Sequence, residues 1–389
     1  MTPLDDLFRL PSHDIMCTDC KSFYASVEAI RRGEHPLAAK IAVLSNGESQ
    51  GGLVLAASPL AKQHYGVKVG TRRFEISDDM DIELVEPRMS SYIIKNYEIN
   101  RIFRQFTDDA HWFPYSIDES FIDVTHSHKI FGSNQEIATA IQRKAFAKFG
   151  IVTTVGIGEN PLLAKLALDN AAKDQSPWQA TWGYADVPQT LWQIAKMTDF
   201  WGIGNRTAAH LDRIGITGIY ELAHADRAKL RREFGLLGDQ LYYHAWGVDY
   251  SDLTRRYLPR SKNKGYGNSQ VLMRDYVQKT EIGTVLSEIV DQVATQLRKH
   301  QMRAEVISIS IGFAEPDDMG CSGYSKQTKI DPTNRTADLI AAVRYLFEQI
   351  WQGQPLRNVG VRANRISIAA YLQTGLFRNP EKQVQTVQF

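Results

Sequence analysis

The sequence predicts a multidomain α+β fold, and three observations carry the prediction. Short apolar runs alternate with helical stretches through the first half of the chain, the pattern turns wholly helical between residues 186 and 252, and a β-α-β-β-α-β order fills 268–372. At 389 residues the chain exceeds what one hydrophobic core supports. A content of 43% hydrophobic and 23% charged residues is ordinary for a globular protein.

Apolar runs at 15–17 and 41–44 flank a helical stretch from Phe23 to Arg32 that ends at Gly33, which reads as strand, helix, strand. After a Gly-rich turn at 46–52 come a strand at 53–57, a helix start at Ser58-Pro59 and a short helix to Tyr65 carrying Lys62. Residues 90–106 have helical spacing, with Tyr92, Ile102, Phe103 and Phe106 as core. A strand at 113–124 follows, then a helix from Asn134 to Phe149. Residues 151–165 read as a strand, a Gly-x-Gly turn at Gly156 and Gly158, and a helix from Pro161 whose first turns hold Lys165, where an anion is favoured. The third glycine of a dinucleotide fingerprint is absent.

In the helical region, Gly202-Ile203-Gly204 reads as the turn of a helix-hairpin-helix whose exposed N–H groups accept a phosphate without reading sequence. A basic tether spans 253–267. Beyond it the elements are strand 268–273, helix 281–301, strands 305–312 and 324–330, helix 336–351 and strand 359–370. Lys326, Lys329, Arg362 and Arg365 fall in or beside these strands and suggest a basic face for a nucleic-acid backbone. The charge balance agrees, because residues 255–389 hold 19 Lys and Arg against 12 Asp and Glu while the whole chain is only +1. A polar-apolar pentamer, Gln373 to Phe377, reads as a docking peptide.

The chemistry centres on Tyr115-Ser116-Ile117-Asp118-Glu119-Ser120, two acids inside a β-rich run. Neighbours on a strand face opposite ways, so Asp118 and Glu119 share a task only where a strand end or turn brings them together. Asp19 lies in a second strand-to-helix segment, and the three carboxylates at one sheet edge would form an all-oxygen cage suited to Mg²⁺ and not to zinc. A hairpin turn with solvated acids is the alternative. Cys17 and Cys20 form a C-x-x-C without the partners of a zinc site, and the three cysteines make no disulfide framework, so a reduced cytoplasm is the expected location. No run of about 18 apolar residues and no basic-then-apolar start is present, so neither a membrane span nor a secretory leader is expected.

Asp19 to Glu28 (D-C-K-S-F-Y-A-S-V-E), 57–70, Ser116 to Val124 (S-I-D-E-S-F-I-D-V), 156–165, the helix-hairpin-helix and the last domain, in that order, resemble the Y-family (translesion) DNA polymerases of the bacterial UmuC-like and DinB-like group. The resemblance implies a right hand: palm at 1–35 and 86–185, fingers at 36–85, helical thumb at 186–252, linker at 253–267, little finger at 268–372 and a tail at 373–389. It implies template-directed addition of dNMPs to a primer end past damaged bases, with two Mg²⁺ ions held by Asp19, Asp118, Glu119 and the main-chain carbonyl of Cys20. Tyr24 matches the steric gate that excludes ribonucleotides, with Phe23 beside it, and Lys62 and Lys165 match positions that contact the triphosphate. Gly202, Gly204 and the four basic residues of the last domain would meet primer-template DNA. Gln373, Leu376 and Phe377 would meet a sliding clamp, and damage-response accessory proteins are further partners. Ser58-Pro59-Leu60 departs from the family where many members carry a tyrosine near the triphosphate, and Pro161 replaces a common lysine. No second acidic cluster suits a proofreading exonuclease, so low fidelity is expected. A scaffold of the same fold without catalysis, and a nucleotidyl cyclase on a palm-like sheet, are the competing readings; the cyclase leaves the hairpin and the basic last domain unexplained.

Overall fold

The computed structural model describes residues 10–45, 51–173, 176–255, 265–317 and 320–368. The chain divides into two compact units, the first holding 10–45 and 52–255, the second 265–368.

In the first unit, β1 (Ile15–Cys20) leads into α1 (Phe23–Arg31), followed by β2 (Ile41–Leu44), β3 (Val54–Ala57), α2 (Pro59–Tyr65), β4 (Glu83–Val85) and α3 (Met89–Phe103). Next come β5 (Trp112–Pro114), β6 (Glu119–Asp123), α4 (His128–Phe131), α5 (Asn134–Phe149), β7 (Thr153–Gly158), α6 (Pro161–Ala167) and β8 (Gln179–Trp182). The main sheet has the order β5-β6-β1-β7-β8, and a small sheet has the order β3-β2-β4. Every residue of β1 is buried, which requires cover on both faces of the main sheet. Met16 packs with Phe103, Ile137 and Ile141 from α3 and α5 on one face. Ile15, Cys17 and Phe121 pack with Ala164 and Leu168 on the other.

Local signals fix the helix ends. Ser133 and Glu136 form a capping box at the start of α5, and Gly150 closes it in the left-handed conformation. Asn160 caps α6 by accepting from the Leu163 N–H at 2.9 Å, with Pro161 in the first turn.

Two expectations are corrected here. The stretch 113–124 is not one strand: β5 ends at Pro114 and β6 starts at Glu119, because the Ser116 hydroxyl accepts from the Glu119 N–H at 3.1 Å and folds the intervening residues into a turn. Gly156 and Gly158 are not a turn but buried residues of β7. A Cβ at Gly156 would lie 2.1 Å from the Ala164 carbonyl oxygen, and one at Gly158 2.5 Å from the Ala164 nitrogen, so these glycines exist to let α6 lie against the strand.

A helical region follows, α7 (Asn205–Arg213), α8 (Ile219–Ala223), α9 (Arg227–Phe234) and α10 (Leu236–Ala245), around Phe200, Ile203, Leu211, Leu222 and Trp246. The turn at 202–204 is preceded by a single 3₁₀ turn, Met197–Asp199, where a first helix of the hairpin was expected.

The second unit is β9 (Tyr266–Tyr276), α11 (Lys279–Lys299), β10 (Met302–Phe313), β11 (Gly323–Thr333), α12 (Thr336–Ile350) and β12 (Leu356–Ile368), the anticipated β-α-β-β-α-β order with longer strands. The sheet order is β11-β10-β12-β9. Alternation assigns Ile307, Ile309, Ile311, Val359, Val361 and Ala363 to the core with Ile289, Val293 and Leu346 of the helices, leaving the opposite sheet face open.

Gly156→Ala forces α6 off β7 and is expected to cost about 3 kcal/mol, the upper part of the overpacking range, in denaturant unfolding. A cost below about 1 kcal/mol would mean that the helix retreats freely.

Candidate active site

Strands β1 and β6 pair antiparallel with Asp19 directly opposite Glu119. Cross-strand partners share a face, and theirs is the α6 face, already defined by Cys17 and Phe121. Asp118 precedes β6 in the turn. Its carbonyl accepts from the Cys20 N–H at 2.9 Å, and its carboxylate accepts from the Ser116 hydroxyl at 2.7 Å. The turn thus solves the pleat problem, bringing an adjacent acid to the same strand end.

Like charges this close need compensation. Burial pushes the Asp118 carboxyl up, and the Asp19 charge adds to it against the Ser116 hydrogen bond. Burial also pushes Glu119 up, opposed by Lys165. Lys165, at the end of α6, is buried and places its Nζ 2.7 Å from Glu119 Oε1 and 2.9 Å from Asp169 Oδ2. A π-helical turn at 168–172 then carries the chain to Lys173, whose Nζ lies 2.8 Å from Asp19 Oδ2, 2.8 Å from Asp169 Oδ1 and 3.7 Å from Glu119 Oε1. Burial works against the Lys173 charge, but Asp19 and Asp169 outweigh it and hold its pKa well above the ordinary lysine value.

A cavity of about 720 Å³ opens beside these groups, lined by Asp19, Asp118, Tyr24, Lys62 and Lys173 among others. Phe23 and Ser22 also line it. Ser22 stands at the start of α1 with φ 50°, a left-handed conformation uncommon for serine, and turns the chain sharply from β1 into the helix. The Lys62 ammonium donates to the Ser22 hydroxyl at 3.0 Å; burial pushes its pKa down, with Asp19 opposing that shift.

The structure therefore unites Asp19, Asp118, Glu119, Cys20, Phe23, Tyr24 and Lys62 at one place. Lys165 is near but ion-paired behind the acids. Lys173, which the sequence analysis missed, lines the cavity in its stead. Its signal was present, since Lys165, Asp169 and Lys173 recur at four-residue spacing. By donor chemistry the three carboxylates suit a hard divalent cation, and the upward shifts of Asp118 and Glu119 express the same demand for positive charge. Among the described residues no three acidic, histidine or cysteine side chains converge as a ready-made metal cage; Lys165 and Lys173 supply the positive charge.

Gly202 has φ 95° and Gly204 begins α7 without a side-chain cap. Both line a cavity of about 730 Å³ that also includes Asp169 and Asn170, and the Trp201 indole N–H donates to the Tyr115 hydroxyl at 3.3 Å. In the second unit Arg362 lies opposite Ser308 on the open sheet face, and Lys329 and Arg365 share a hollow with Asn364. Lys326 pairs with the core residue Ile309 on the edge strand and borders a hollow of about 930 Å³ together with Ser308, Ser310 and Arg362. Gln373, Leu376 and Phe377 lie outside the described residues.

A family model described as "impB/mucB/samB family" matches residues 18–169, and its C-terminal domain model matches 263–376. The chain belongs to this family, the Y-family DNA polymerases. A Bacillus subtilis protein provisionally named as the UV-damage repair protein UvrX is 39% identical over 373 residues, 96% of this chain and 88% of that one. The DNA polymerase IV 2 of the same organism is 36% identical, covering 95% and 88%. The fold is that of a solved Y-family DNA polymerase chimera of Dbh and Dpo4, with a TM-score of 0.69 at 20% identity, covering 91% of this chain and 99% of the chimera. No helix among the described residues of this Y-family chain is long and apolar enough to cross a membrane.

Lys165→Ala leaves Glu119 short of its closest cation and is expected to cost about 3 kcal/mol of stability near neutral pH. In this variant the folded-state pKa of Glu119 rises further above its unfolded value, so the loss should shrink as pH falls and Glu119 takes a proton. Thermal unfolding over about pH 5 to 8 checks both size and sign.

Proposed function

We propose that the chain is a template-directed DNA polymerase of the translesion type that extends a primer 3′-end with dNMPs past damaged bases, with low fidelity and no proofreading. The observation that carries this reading is the Asp19–Glu119 register with Asp118 in the adjoining turn, at the edge of a cavity walled by Tyr24, Lys62 and Lys173. Two Mg²⁺ ions at Asp19, Asp118, Glu119 and the Cys20 carbonyl would supply the charge that activates the primer hydroxyl and stabilises the leaving pyrophosphate.

This chain's residues do the positioning on which phosphoryl transfer depends. Lys62 and Lys173 neutralise the incoming triphosphate, and Lys165 keeps Glu119 ionised and fixed. Tyr24 forms the wall under the sugar, with Phe23 packed beside it at a ring separation of 5.8 Å. The N–H groups at Gly202 and Gly204 hold a DNA phosphate without reading sequence, while Arg362 on the open sheet face and Lys329 and Arg365 in their hollow hold backbone. In this assignment the first unit comprises palm, fingers and thumb and the second the little finger, acting in the cytoplasm. Gln373, Leu376 and Phe377 would dock a sliding clamp, with damage-response accessory proteins as further partners. A scaffold without catalysis has no use for three crowded acids, two of them desolvated, whose cluster costs stability.

With Mg²⁺ and a primed template, the protein should extend with dNTPs and not rNTPs, and chelation should stop it. Asp118→Ala should lower the rate by at least ~10²–10³-fold, the loss typical of removing one fixed electrostatic group. Binding of the primed template without extension, even with clamp and accessory proteins added, would favour the scaffold. Misinsertion as rare as that of a proofreading enzyme would refute low fidelity.

A further inference from the structure

Behind the Tyr24 wall lies a second aromatic layer that the polymerase reading does not use. Tyr92, on α3, is fully buried and stacks on Tyr24 with ring centroids 4.3 Å apart and planes 14° from parallel. Its hydroxyl donates to Glu28 Oε1 at 2.9 Å. Glu28 lies four residues after Tyr24 on α1, one turn below it on the same face, so Tyr92 bridges ring and carboxylate at once. Glu28 is itself fully buried and held by three further donors: Arg88 Nη2 at 2.5 Å and Nε at 3.1 Å, and Arg32 Nη1 at 2.8 Å.

The arrangement is rigid for identifiable reasons. Arg88 stands at the start of α3 and its carbonyl accepts from the Tyr92 N–H at 3.2 Å, so the residue that pins the acid also opens the helix that carries the ring. Burial favours the neutral acid, yet hydrogen bonds from Arg88, Arg32 and Tyr92 together hold the Glu28 carboxyl below its usual range, so it stays an anion tied to both helices. Burial pushes the Tyr92 hydroxyl up to about 12, which keeps it a donor.

A steric wall discriminates only as far as it resists displacement. The extra hydroxyl of a ribonucleotide is small, and a ring free to slide by a fraction of an ångström would admit it. We infer that Tyr92, clamped by Glu28 with Arg32 and Arg88, is a positioning residue for sugar selection that stiffens the Tyr24 ring from behind. The inference rests on Tyr24 being the sugar wall.

The test is the ratio of kcat/KM for a dNTP to that for the matching rNTP on one primed template, measured for the parent protein, Tyr24→Ala, Tyr92→Leu, Tyr92→Phe and Glu28→Gln. Tyr92→Leu removes the stacked ring and should lower the ratio ~10-fold or more, a size within reach of a reshaped pocket wall. The change should come mainly from a lower KM for the rNTP, with the preference for a matched over a mismatched base unmoved. Tyr92→Phe keeps the stack and should retain most of the ratio, and Glu28→Gln should fall between. A Tyr92→Leu protein that melts near the parent and keeps the parental ratio overturns the inference. If that variant does not fold, Glu28→Gln decides, an unchanged ratio again overturning it. The Tyr24→Ala arm separates the two readings: a relaxed ratio there with none in Tyr92→Leu defeats only the support role, whereas an unrelaxed ratio in Tyr24→Ala defeats the sugar wall and the inference with it.

Discussion

The site depends on one unfavourable pairing, Asp19 opposite Glu119 across neighbouring strands of a sheet covered on both faces. Like charges facing each other across a sheet repel, and burial strengthens the repulsion. Such a pair persists only where the surrounding structure supplies positive charge. Lys165 and Lys173 do so from one segment, braced against each other by the shared carboxylate of Asp169. The two lysines differ in access: Lys165 is sealed behind the acids, while Lys173 is about a third exposed and borders the cavity.

That segment reaches the acids because two side chains are missing. Gly156 and Gly158 remove the Cβ atoms that would collide with Ala164 and Leu168, so α6 settles on β7 and delivers Lys165 to Glu119. The π-helical turn after α6 then carries the chain on to Lys173. Packing distance and electrostatic compensation are therefore the same design problem, solved by backbone on one side and by ammonium groups on the other.

What could be read in the sequence follows the range of the interaction. Helix α5 was legible to the residue because its capping box and closing glycine are local. The order of the second unit was legible from period alone. Asp19, Asp118 and Glu119 were recognisable together through their motif context, but the turn that makes the sharing possible depends on the Ser116 hydroxyl, and strand-forming neighbours hid it. Gly156 and Gly158 looked like a turn because glycine usually punctuates; their purpose is contact with a helix that only the fold brings near. The placement of Lys326 depends on range in a similar way. On an exposed edge strand both faces carry polar residues, so alternation gives no sign of which face is which until pairing with Ile309 is known.

Lys173 and Tyr92 show why a motif gives an incomplete site. Each works on a motif residue from outside the motif, Lys173 on Asp19 and Tyr92 on Tyr24. The acids and the ring would be the same letters in a chain lacking these partners, yet the acids would be uncompensated and the ring unsupported. Residue type sets which chemistry is available; the second contact of each motif residue sets whether the group is charged and still enough to perform it.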